Sequence, residues 1–74
     1  MILRVNWVDA AHIEGWTDDI EVEACECESV GFLVRETEKE IVLATSINHS
    51  EDAKNKYGQL QIIPVSAIRE RVEL

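Results

Sequence analysis

The chain has 74 residues and a net charge of -8. That is one small domain, in which folding buries only about 60% of the surface of the unfolded chain. A hydrophobic fraction of 46% is too high for a disordered chain. No apolar run approaches the roughly 18 residues of a membrane span. The start, MILRVNWVDA, lacks the charged, apolar and small-residue regions of a secretory leader. A cytoplasmic protein with reduced thiols is expected. Residues 1–34 hold eight acids and one base, a balance of -7, and residues 35–74 carry -1. Phosphate binding needs clustered Lys and Arg, so nucleic acid is a disfavoured partner. An acidic surface suits a basic protein partner or solubility.

In chain order, the first element is ILRVNWV, where Leu3, Val5 and Trp7 alternate with Arg4 and Asn6. That pattern predicts a half-buried strand with Trp7 in the core. The acidic stretch DAAHIEGWTDDIEVEA is too long for a hairpin turn and reads as an excursion loop. Within it, Thr17 ahead of Asp18 and Asp19 has the chemistry to cap one short helical turn. From Ala24 to Glu36 a long strand is expected. Cys25 and Cys27 share one parity, and Val30, Phe32 and Val34 the other. For both sets to face inward the strand must change phase, and Ser29-Val30-Gly31 is the predicted place for a bulge.

ETEK at 36–39 reads as a tight turn, and EIVLATS as the hairpin partner of 30–35. INHSEDAKNKYG is a second long loop. QLQIIP follows as a strand with Leu60 and Ile62 on one face, ended by Pro64, which has no N–H to donate. PVSA is one tight turn. IRERVEL closes the chain with Ile68, Val72 and Leu74 on one side and Glu70 misplaced among them, which suits an edge strand. The order of elements predicts a mainly β fold: a small five-stranded barrel with a long acidic loop and at most one short helix.

The side chains with chemistry are few. Cys25-Glu26-Cys27 is one residue tighter than a zinc knuckle and is not the C-x-x-C of a redox pair. Two small buried or half-buried thiols on a strand are the favoured reading. His12 and His49 could complete a metal set or act in acid–base chemistry, but no nucleophile or paired acid stands at a recognisable spacing to either. The acids Asp18, Asp19, Glu21 and Glu23 lack the spacing of a calcium loop. A non-enzymatic protein without a cofactor or metal is expected. Trp16, in that acidic loop, is the candidate partner anchor, although an indole folded back over the barrel mouth is equally compatible. Tyr57 beside Gly58 is the other candidate contact.

Three segments, WVDA at 7–10, SVGFLV at 29–34 and IPVSAI at 63–68, resemble in order and spacing a group of short uncharacterised bacteriophage and prophage proteins. The last segment is similar to the strand, one-turn helix, strand ending of Src-homology-type (SH3-like) and Sm-like small barrels. The resemblance implies an accessory barrel made in the host bacterial cytoplasm, and it supplies no catalytic residues. Three roles follow as expectations. The first is a module that binds a host protein through Trp16, Asp18, Asp19, Glu21, Glu23 and Tyr57, with a role such as inhibiting a host function or defence system. The second is an Sm-like homo-oligomeric ring, joined through edge strands, that holds a nucleotide or other phosphorylated ligand with Arg35, Lys54, Lys56, Arg69 and Arg71. The third is an acidic mimic of nucleic acid.

Overall fold

A computed structural model describes residues 1–9, 16 and 24–74. The described residues form five strands: β1 (Ile2–Asp9), β2 (Cys25–Glu36), β3 (Glu40–Ile47), β4 (Tyr57–Pro64) and β5 (Ile68–Glu73). A single 3-10 turn, Val65–Ala67, joins β4 to β5. All five strands lie in one antiparallel sheet of order β4-β3-β2-β1-β5. The mainly β class agrees with the sequence pattern. No ladder links β4 to β5 among the described residues, so the hydrogen-bonded sheet is open. The expected helical turn at Thr17 lies outside the described residues.

The sheet is strongly curled. Leu3, Val5, Ile41, Leu43 and Ile63 form one buried cluster, with Trp7, Leu33 and Ile68 packed against it. In a flat sheet β4 and β1 would stand about 14 Å apart, too far for Ile63 and Val5 to share a core. The same bend brings β5 over the far end of β2. Arg71 pairs in register with Val5, and Val5 with Ser29. Glu36 lies seven residues farther along β2, roughly 23 Å on a straight strand, yet its carboxylate is 2.7 Å from the Arg71 guanidinium.

Two local features permit the bend. The first is a bulge in β2: Leu33 faces Leu43 but Arg35 faces Val42, leaving Val34 as the extra residue. The second is Gly31. It is buried, and an added Cβ there would stand 2.8 Å from the Ala44 carbonyl oxygen and 3.1 Å from the Leu43 Cβ. β3 therefore rides directly over the Gly31 backbone.

The predicted phase change at Ser29–Gly31 is absent. The β1–β2 register runs unbroken from Ile2↔Phe32 to Asp9↔Cys25. Cys27, Ser29, Gly31 and Leu33 therefore share the concave face, and Val30, Phe32 and Val34 the outer one. The slip occurs three residues later than expected, after Leu33 has already entered the core. In β4 the face shared by Leu60 and Ile62 is the outer one. Ile63 is fully buried, whereas Leu60 and Ile62 are 56% and 57% exposed.

The turn at 37–39 is held as the sequence suggests. The Thr37 hydroxyl accepts hydrogen bonds from the Lys39 and Glu40 amides at 3.2 and 3.1 Å, and the Thr37 N–H donates to the Glu40 carbonyl at 2.8 Å. The Val65 amide donates to the Lys39 carbonyl at 2.8 Å, which fixes the 3-10 turn against this hairpin. β5 is an edge strand, as its misplaced glutamate indicated. A bulge places Ile68 opposite Trp7 but Glu70 opposite Asn6. Ile68 thus reaches the core, while Val72 faces outward across from Arg4, which separates two residues expected on one side. β3 is buried at four consecutive positions, Ile41 to Ala44, because Phe32 and Val34 on one neighbour and Leu60 and Ile62 on the other shoulder its outward side chains.

Candidate functional site

Trp7 and Ser29 show how β1 and β2 organise the concave end of the sheet. They lie on adjacent strands, two residues from direct opposition on the same face, and the Trp7 indole N–H donates to the Ser29 hydroxyl at 3.0 Å. A half-buried tryptophan needs such a partner for its polar edge. Beyond this pair Cys27 is half-buried and Cys25 is exposed. Both are free thiols, and the Cys27 thiol lies 3.7 Å from the Cys25 carbonyl. The expectation of paired buried filling is corrected for Cys25, which sits past the end of the core. Among the described residues, no three His, Cys, Asp or Glu side chains gather closely enough to hold a metal ion.

Trp16 is fully exposed, so the alternative of an indole folded over the sheet is not what the structure shows. Its proposed companions Asp18, Asp19, Glu21 and Glu23 lie outside the described residues, as does His12. Tyr57 opens β4, an edge strand of the sheet, and is 42% exposed, with the Lys56 ammonium 5.6 Å from its ring centroid. That distance is within cation–π reach.

The five candidate phosphate ligands do not gather. The Arg35 guanidinium pairs with Glu40 at 2.7 Å and Arg71 with Glu36 at 2.7 Å. Arg69 donates to the Ser66 carbonyl at 3.3 Å. Lys54 and Lys56 are exposed in and beside the β3–β4 loop. A phosphate needs several convergent donors, and here the two best placed arginines already have carboxylate partners.

Among the described residues, two depressions stand out on the surface. One, of about 460 Å³, is lined by Asn6, Trp7, Val8, Glu26, Cys27, Glu28 and Arg69. The Asn6 side-chain oxygen is buried with no hydrogen-bond partner among the described residues, and Arg69 is the extra residue of the β5 bulge. The other, of about 340 Å³, is lined by Val34, Arg35, Val42, Tyr57, Leu60 and Ile62. Apart from Arg35 and the tyrosine hydroxyl, its walls are apolar. The β2 bulge builds it, since two consecutive residues, Val34 and Arg35, reach the outer face against Val42. The sequence pattern did not show this hollow: it put Leu60 and Ile62 on one face without saying which, and it turned Val34 inward. The one available signal was Ile62-Ile63, adjacent apolar residues that a strand must send to opposite faces. Comparison with protein-family models, with curated proteins and with solved structures gives no match for this chain.

Proposed function

We propose that the protein is a non-enzymatic protein-binding module, a small barrel-like accessory factor of phage type that engages a host protein in the bacterial cytoplasm and blunts a host function or defence. The observation that carries this reading is the full exposure of Trp16 in a stretch whose neighbours in sequence are acidic. A large aromatic side chain in solvent is costly unless a partner covers it, and tryptophan is over-represented among interface anchors. The barrel-like reading is supported by the strand order, the bent β2 and the 3-10 turn between β4 and β5, which are similar to Sm-like and Src-homology-type endings. The test is affinity capture from bacterial lysate by the wild type and by the combined variant Trp16→Ala, Asp18→Ala, Asp19→Ala. The reading expects a partner held by the wild type and lost by the variant. A partner set retained in full by the variant would place the binding surface elsewhere.

A ring joined through edge strands is a second reading, favoured by the open edges of β4 and β5. Its phosphate-binding arm is weakened by the carboxylates that already hold Arg35 and Arg71. β5 is also a poor template for strand addition, because it is bulged and carries Arg69, Glu70, Arg71 and Glu73, the features that blunt an edge.

A further inference from the structure

We propose that the apolar hollow on the outer face receives the Trp16 segment of a second copy of this chain. β4 contains no charged residue, in contrast to β5 at the other edge. Leu60 and Ile62 stand more than half exposed on it, and with Val34 and Val42 they give the hollow apolar walls. The rim is cationic. Arg35 lines one side, and Lys56 stands over Tyr57 on the other. Arg35 holds Glu40 through one nitrogen, and a guanidinium has five N–H donors, so it can still donate to one further carboxylate, although alone it does not supply the several convergent donors that a phosphate needs. An apolar recess with a cationic rim suits an aromatic anchor flanked by acids.

The chain itself carries such an anchor. Trp16 touches nothing that shields it. Glu14, Asp18 and Asp19 lie within three residues of it in sequence, and no Lys or Arg occurs between Arg4 and Arg35. The charge division makes the contact directional. Two copies that each carry -8 repel in most orientations, but the acidic first half of one is drawn to the nearly neutral second half of the other. The smallest closed arrangement is a two-fold pair in which each copy lends its Trp16 to the other.

The test is the solution mass of the purified protein by light scattering, from micromolar to near-millimolar concentration, for the wild type, Trp16→Ala and Ile62→Asp. The wild type is expected to rise above single-chain mass with concentration and to fall back in high salt. Each variant alone stays at single-chain mass. Mixed in equal amounts they regain association, because Trp16→Ala keeps the hollow and Ile62→Asp keeps the anchor. Both positions are exposed, so both variants should melt within a few degrees of the wild type; Leu60→Asp repeats the readout at a second wall of the hollow. A wild type of single-chain mass throughout, a Trp16→Ala variant that associates like the wild type, or a mixture that stays at single-chain mass each overturns the proposal. The inference shares Trp16 with the host-binding reading, and the two fail separately. Capture of a host protein that needs Trp16, by a chain that never self-associates, leaves that reading standing and removes this one.

Discussion

Gly31 and Gln59 mark where the backbone constrains single residues. At Gly31 the obstacle to a side chain is the Ala44 carbonyl oxygen at 2.8 Å, a backbone atom that cannot rotate aside. Gly31→Ala should therefore cost about 1–3 kcal/mol in urea unfolding, the range of an overpacked core site. Gln59 shows the converse. Its φ of 46° lies in the left-handed region, which costs an L-residue roughly 1–2 kcal/mol. Glycine avoids that strain but loses more backbone entropy on folding, about 0.5–1 kcal/mol. Gln59→Gly should be neutral to stabilising by up to about 1 kcal/mol, and a clear loss of stability would show that the glutamine side chain makes a contact worth more than the strain. The glycine at 31 was legible as a special backbone position, but its reason was not. The sequence marks a missing side chain, whereas only the packing shows that β3 fills the space.

At the scale of elements, strand existence was far easier to read than strand orientation. All five strands, the 36–39 turn and the stop at Pro64 follow from local chemistry: alternation, a threonine that accepts turn amides, a missing N–H. Faces depend on register, and register depends on bulges that involve non-neighbouring residues. β2 has apolar side chains on both parities because the outer face is itself partly apolar, so parity alone could not choose between Leu33 and Val34. β4 offers the sharpest check, through adjacent isoleucines. Ile63→Ala should cost about 2–5 kcal/mol, as for a filled core position, while Ile62→Ala should stay within about 0.5 kcal/mol, as for an exposed one. Paired urea titrations decide the matter, and equal losses at the two positions would contradict the assigned faces.

For the whole molecule, the curl follows from the need of a short chain to bury one face of one sheet. Five buried side chains at its centre make a small core, and domains of this size gain only a few kcal/mol from such a core. The Arg71–Glu36 pair closes across the bend, but both partners are partly exposed. Arg71→Ala should lower stability by only about 0.2–1 kcal/mol, less at high salt; a larger loss would mean that the pair holds the curl rather than reporting it. The site was legible in part. Trp16 stands out in the sequence as a large aromatic in an acidic loop, and the structure leaves it exposed. The hollow between β2 and β4 was invisible, because it exists only once Val34, Leu60 and Ile62 are placed on the outer face.

The claim that this is a protein-binding module anchored by Trp16 is tested most directly by the native mass of the particle recovered from bacterial cells, compared between the wild type and Trp16→Ala. The account predicts a wild-type particle heavier than a single chain by the mass of a further polypeptide, its own or a host's, and a Trp16→Ala particle that has lost that excess. A wild-type particle of single-chain mass, or an added polypeptide that Trp16→Ala retains in full, would contradict it.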